Sequence, residues 1–281
     1  MKNLKIAGVV LKPNSPQIKD DFEAIKELFE SNGISVLLES SSAKMIGHNG
    51  FELDELAVIC DFLVSLGGDG TLISLVRRSF KHNLPILGVH LGTLGFLTDI
   101  TAPELEGFMD ELVNNNYSID ERMMISSSIK DMSIVAFNDI VITKKDLTGM
   151  VSVDAKVNGK VFNSYYGDGL IVSSPTGSTG YNLSCGGPVV YPLTEAFIVT
   201  PISAHSLTQR PLVLPVNFEI ELVIKDANGA VAIIDGQDIY ELKQNESFKI
   251  TIAQTKAKLI HSFRRSYFDI LSQKLKWGEN R

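Results

Sequence analysis

The chain has 281 residues, 44% hydrophobic and 21% charged, with a formal net charge of −7. That length allows two domains with separate cores, and the composition is that of a globular protein without low-complexity tracts. The acidic balance argues against nucleic acid or an anionic membrane as partner, and the lone Cys60 and Cys185 suggest neither a disulfide framework nor a Cys-based zinc site, which fits a reducing cytoplasm.

Ile6–Leu11 (IAGVVL) is too short to cross a bilayer, lacks a small-residue cleavage pattern after it, and reads as a first strand. Ser15-Pro16 then caps a helix whose Ile18, Phe22, Ile25 and Phe29 recur at helical spacing until Gly33. ISVLLE and DFLVSL read as the second and third strands. TLISLVRRSF reads as a helix beginning near Thr71, and PILGVH as a fourth strand. Thr101-Ala102-Pro103-Glu104 is a capping box for a helix carrying Leu105, Met109 and Leu112. This alternation is the signature of βα units around a parallel sheet.

Beyond Tyr117 the pattern becomes mostly β. VSVDAKVNGKVF alternates around Asn158-Gly159, a hairpin signal, and IELVIKDANGAVAIIDGQ repeats the device at Asn228-Gly229. FKITIAQ is a further strand, and Ser266–Trp277 places Phe268, Leu271 and Leu275 at helical spacing. A lone helix after a β domain needs a surface, so it is expected to return to the first domain. The expected organisation is an N-terminal α/β parallel-sheet domain over 1–120, completed by the returning segment 258–281, and a C-terminal β-rich domain over 121–257.

Three stretches carry candidate chemistry. In SLGGDGT (65–71), Asp69 suits a turn or helix cap. It also sits where open α/β sheets bind ligands, among glycines that admit a phosphate, and could take a proton from a hydroxyl attacking that phosphate. The local pattern leaves the two readings level. Gly167–Pro188 (GDGLIVSSPTGSTGYNLSCGGP) is either a glycine-rich connection or a loop whose hydroxyls and N–H groups bind ribose and phosphate. Asn138-Asp139 interrupts an apolar strand, as a solvated bend or as a reader of adenine. No G-x-G-x-x-G after a strand and no P-loop occurs, and the scattered histidines have no metal-ligand spacing.

Together these motifs resemble the NAD kinase family over nearly the whole chain: LGGDGT (66–71), GTLGFL (92–97), the Asn-acid pair (138–139), DGLIVSSPTGSTGYNLSCGGP (168–188), HSLTQRPLVLP (205–215) and DGQ (235–237). GGDG alone also occurs in lipid kinases and phosphofructokinases; the long second-domain stretch is the specific part. The resemblance implies transfer of the terminal phosphoryl group of ATP to the 2′-hydroxyl of NAD's adenosine ribose, with Asp69 as proton acceptor. It implies that Asn138 and Asp139 contact adenine, that Gly70 and Phe96 adjoin the ligand, and that Asp168, Thr176, Thr179, Gly180, Tyr181, Asn182, Leu183, Ser184 and Gln237 line the site. It implies Mg²⁺ arriving with ATP, with no metal ligand assigned to the protein, and a homodimer or homotetramer formed through the β domain. Asp139 replaces a more usual Glu, Tyr166 a frequent Arg, Gly180 an Ala and Ala204 a Pro. Two rivals are a GGDG-type lipid kinase, for which no basic amphipathic helix speaks, and a nucleotide sensor, which would more plausibly have lost Asp69.

Overall fold

The structure, a computed structural model, describes residues 4–92, 94–130, 132–145, 149–226 and 229–278. In chain order its elements begin with β1 (Ile6–Leu11), α1 (Lys19–Ser31), β2 (Ser35–Leu38), α2 (Ser40–Ile46), α3 (Leu53–Ile59), β3 (Phe62–Gly67) and α4 (Asp69–Ser79). There follow β4 (Pro85–His90), β5 (Ile100–Thr101), α5 (Ala102–Val113), β6 (Ser118–Arg122), β7 (Ile125–Ile129), β8 (Met132–Ala136), β9 (Asp139–Thr143), β10 (Val151–Val157), β11 (Lys160–Gly167) and β12 (Gly169–Ser173). The chain continues through α6 (Tyr181–Ser184), β13 (Ala196–Ile202), β14 (Leu212–Pro215), β15 (Ile220–Ile224), β16 (Ala230–Ile234), β17 (Asp238–Leu242), β18 (Ser247–Ile252), β19 (Ala257–His261) and α7 (Tyr267–Leu275).

Two compact units result, Met1–Glu121 with Ala257–Arg281, and Arg122–Lys256. The first is built on a sheet of order β2-β1-β3-β4-β19-β6, with β5 beside β4. β1 pairs parallel with β2 and β3, and β4 pairs parallel with β3, β5 and β19. One face packs against α1 and α5 through Phe22, Phe29, Phe62, Val64, Leu105 and Phe108, all buried. Phe22, Phe29 and Leu105 are among the apolar positions whose spacing predicts the helices, and burying each is worth roughly 1.5–3 kcal/mol. The capping box at Thr101 and Glu104 starts α5 as expected.

The second unit holds two antiparallel sheets, β11-β10-β15-β18-β7-β8 and β14-β13-β12-β9-β16-β17. One core drawn from strands of both sheets, including Ile125, Val153, Leu222, Ile140, Val172 and Phe197, accounts for the alternating patterns. The hairpin at Asn158-Gly159 joins β10 to β11 as predicted.

The second predicted hairpin does not form. β15 pairs with β10 and β18, whereas β16 pairs with β9 and β17, so the two strands lie in different sheets. An Asn-Gly step between alternating strands fits a sheet-to-sheet crossing as well as a turn, and alternation cannot tell them apart; Asn228 itself lies outside the described residues. Two smaller expectations also shift. α4 starts at Asp69 rather than near Thr71, with Gly68 at the N-cap. In α7 the buried residues are Ile270 and Leu271, and Phe268 is 65% exposed. Ser266 and Asp269 form a capping box there, which sets the helix start.

Candidate active site

The candidate residues form one cluster in each unit. In the first, the turn after β3 delivers Asp69 to the opening residue of α4. Its carboxylate does not cap its own helix. Instead Oδ2 accepts from the Phe96 N–H at 2.8 Å, and Oδ1 accepts from Leu97 N (3.2 Å), Thr98 N (3.0 Å) and Thr98 Oγ1 (2.9 Å). A run of backbone N–H groups thus holds the acid and is held by it. Gly95 lets the loop approach this closely, since a Cβ there would overlap Asp69 Oδ1. The half-buried Phe96 supplies one N–H, and its ring lies 5.7 Å below the Lys274 ammonium of α7. Gly70, next along α4, is exposed.

In the second unit the bend between β8 and β9 carries Asn138 and Asp139 as the chain changes sheet. Asp235, just past β16, mirrors Asp69. Its Oδ2 accepts from Phe137 N at 2.8 Å, and its Oδ1 from Asn138 N at 2.7 Å and Asp139 N at 2.9 Å. The loop after β12 packs on the other side of the bend. Ser174 N donates to the Asn138 carbonyl at 2.8 Å, Ser174 Oγ to that of Phe137 at 2.6 Å, and Ser173 Oγ to that of Asn138 at 3.2 Å. Gly177 lies so close that a Cβ would strike the Asn138 carbonyl. Three stretches remote in sequence, 137–139, 173–180 and 235–237, are therefore one constellation.

Its electrostatics are set by burial. Asp139 is 5% exposed; desolvation first, and then the negative charge of Asp235, push its carboxyl up to about 7. Burial, with Cys185, Asp168 and Asp139 nearby, also raises the Tyr181 hydroxyl. Asn138 Oδ1 and Thr176 Oγ1 are buried without a hydrogen-bond partner among the described residues. Asp168, Tyr181, Ser184 and Gln237 are exposed, while Thr179, Gly180 and Leu183 are half-buried.

Asn182, expected to line the site, is also tied into the loop around it. It is fully buried, its Oδ1 accepts from Thr200 Oγ1 at 2.6 Å, and its Nδ2 donates to the Ser178 and Pro188 carbonyls at 2.9 and 3.1 Å. Both amide hydrogens and one acceptor site of the carbonyl are engaged inside the protein, which fixes the shape of the loop. The residues that sequence reasoning missed are Thr98, Gly95 and Asp235. The last lies within the quoted DGQ motif, where the exposed Gln237 drew attention instead.

Residues 7–117 match the family model described as the ATP-NAD kinase N-terminal domain, and residues 137–262 match the ATP-NAD kinase C-terminal domain. The chain belongs to the NAD kinase family. NAD kinases phosphorylate NAD to NADP, and relatives by that name span almost the whole chain. The NAD kinase of Sulfurimonas denitrificans is 49% identical, covering 99% of both chains, and that of Wolinella succinogenes is 44% identical, covering 99% of this chain and 98% of its own. Among solved structures, an NAD kinase from Archaeoglobus fulgidus in complex with ATP superposes with a TM-score of 0.81 at 27% identity, covering 96% of this chain and 98% of its own. The yeast NADH kinase complexed with NADH superposes at 0.91 with 22% identity, over 100% of this chain and 90% of its own, which establishes the fold. Both predicted fold classes, α/β with a parallel sheet and antiparallel β, are those of the NAD kinases.

Proposed function

We propose that Asp69 is the general base of the kinase reaction, taking the proton of the adenosine 2′-hydroxyl of NAD as that oxygen attacks the terminal phosphorus of ATP. The observation that carries this is the fixed carboxylate. Among the described residues four donors hold it, yet three of them fall on Oδ1, so Oδ2, which there accepts the Phe96 N–H alone, keeps a lone pair to receive a proton. Phosphoryl transfer asks the protein mainly for positioning and charge stabilisation, and a rigid base at a helix N-terminus supplies part of both. The bond formed is ribose oxygen to phosphorus, the bond broken is phosphorus to the bridging oxygen of ADP, and the proton goes to Asp69.

The second constellation supports the assignment of NAD to this unit. Asn138 Oδ1, buried and without a hydrogen-bond partner among the described residues, is the acceptor that an adenine amino group would satisfy. Asp139, with its carboxyl pushed up to about 7, can hold a proton at neutral pH and donate to a ring nitrogen. Asp168, Thr179, Gly180, Tyr181, Ser184 and Gln237 offer polar groups and one aromatic ring at its rim.

Among the described residues no three His, Cys, Asp or Glu side chains converge on a metal position. Mg²⁺ arriving with ATP would be held by its phosphates, where it would offset their charge. A homodimer or homotetramer is supported by apolar side chains exposed on edge strands, Val161 and Phe162 of β11 and Leu212 and Val213 of β14. No described helix is long and apolar enough to cross a membrane, and the unpaired thiols of Cys60 and Cys185 suit a reducing cytoplasm. Replacing Asp69 by Asn tests the central assignment: NAD binding with lost NADP formation supports it, and near-normal turnover refutes it.

A further inference from the structure

The turn that holds Asp69 has a second anchor. Gly95 N–H donates to the Thr98 carbonyl at 3.2 Å, which closes residues 95–98 into one turn, and the Phe96, Leu97 and Thr98 N–H groups of that turn converge on the Asp69 carboxylate. Asp99 follows at once and is 5% exposed. A buried carboxylate needs partners. Those of Asp99 come from the last part of the chain.

β19 enters the sheet beside β4, and its final residue is His261, which is buried. His261 Nδ1 lies 2.8 Å from Asp99 Oδ2, and Nε2 lies 3.4 Å from Asp120 Oδ2 on β6, the next strand of the sheet. Arg265, just ahead of α7, donates from Nη1 to the Asp99 carbonyl at 2.6 Å and from Nη2 to Glu104 Oε1 at 2.7 Å. Lys274 of α7 lies over the Phe96 ring. Residues 96–99 therefore have two sets of partners, Asp69 and the segment from His261 to Lys274, although His261 and Arg265 stand 162 and 166 residues from Asp99 in sequence.

The two nitrogens of His261 are not equivalent. The Nδ1 contact is short and buried, and it reaches the residue next to Thr98, whose N–H and Oγ1 both serve Asp69 Oδ1. The Nε2 contact is longer and reaches a carboxylate that is 25% exposed. A closed turn passes a displacement of Asp99 on to the donors, and a misplacement of about 1 Å at a reacting group costs on the order of a hundredfold in rate.

We propose that His261 is a positioning residue for the kinase reaction: through Asp99 it fixes the turn that aims the Asp69 carboxylate. The returning segment then belongs to the catalytic apparatus as well as to the sheet. His261 acts through protein groups, so its contribution falls on kcat. The inference rests on Asp69 being the base.

The test uses the two ring nitrogens. Asn places its amide nitrogen where Nδ1 was, and Gln where Nε2 was, so His261→Asn keeps a donor for Asp99 and His261→Gln keeps one for Asp120. NADP formation at saturating ATP and NAD should stay within about threefold of wild type in His261→Asn and fall about tenfold or more in His261→Gln, with both KM values within about twofold. A packing role predicts the reverse order, because Asn leaves the larger void; melting curves record that effect separately. Placed on Asp69→Asn, the His261→Gln loss should shrink to less than about twofold in single turnovers, since no base is left to aim. If His261→Gln does not fold, Arg265→Gln, at a side chain 28% exposed, removes the donor to the Asp99 carbonyl and carries the same comparison. Equal kcat in the two His261 variants, or losses ranked by melting temperature, overturns the proposal. A loss that multiplies in full with that of a crippled Asp69→Asn overturns it and leaves the base standing, whereas near-normal turnover of Asp69→Asn alone removes the base and the proposal with it.

Discussion

Replacing Asp69 by Asn separates the acid's two tasks, because the amide keeps the size of the side chain but loses one acceptor oxygen. If the carbonyl takes the Oδ1 position, the bonds from Leu97 and Thr98 survive, and an NH₂ group faces the Phe96 N–H. One part-buried donor is then unsatisfied, a cost of about 1–3 kcal/mol, or a fall in Tm of roughly 2–10 °C for a chain of this size. Turnover should fall further, by roughly two to four orders of magnitude, which is about 3–5 kcal/mol of transition-state stabilisation. Thr98→Val supplies the contrast. It removes the Oγ1 donor at 2.9 Å and leaves the carboxylate, so it should cost about 1 kcal/mol of stability and less than tenfold in kcat. The assay is NADP formation under saturating ATP and NAD, with thermal melts and NAD titration of each variant. If Asp69→Asn keeps kcat within about threefold of wild type, or if Thr98→Val loses as much as it does, the acid only staples the loop and is not the base.

Other expectations follow from the second unit. Because the folded-state carboxyl of Asp139 is raised to about 7, the folded chain binds more protons than the unfolded one between pH about 4 and about 7; stability should fall as pH rises through that window and level off above it. Denaturation of Asp139→Asn at pH 5 and pH 8 should show this fall abolished, with a gain at pH 8 of at most about 4 kcal/mol. Asp235→Asn removes the charge that adds to the raising and disturbs the three N–H bonds of the bend; unfolding should need about 1–3 kcal/mol less and the KM for NAD should rise. Asn182→Ala strands Thr200 Oγ1 and two carbonyls in a buried loop and should cost about 2–3 kcal/mol or more, with the KM for NAD raised more than kcat is lowered. Urea titrations and steady-state kinetics check both.

Much of the fold was legible because its signals are local. Apolar spacing gave α1 and α5, the Thr101–Glu104 pair gave a helix start, and short apolar runs gave β1, β3 and β4. Sheet membership is not local. Alternation marks Ile220–Ile224 and Ala230–Ile234 as strands but carries no record of their partners, so a crossing between sheets was read as a hairpin. The site divides in the same way. Asp69 and Asn138-Asp139 stand out as polar residues where an apolar or glycine pattern does not need them. Thr98 and Asp235 do not, since their importance lies in partners 29 and about 97 residues away: Thr98 donates to the Asp69 carboxylate, and Asp235 accepts from backbone N–H groups of the bend. Asn182 drew attention for its residue type and its place in a loop, and only burial reveals its inward role.

The strand β19 lies between β4 and β6 in the first unit, yet it is made after the whole of residues 122–256. During synthesis at 5–20 residues per second, β4 therefore waits on the order of ten seconds for its inner neighbour. Until then, the edge of β4 that β19 will occupy has unpaired N–H and C=O groups open to any extended chain. A truncation ahead of Ala257 leaves that gap permanently, and it would convert a sheet interior into an aggregation-prone edge in the half of the chain that carries Asp69.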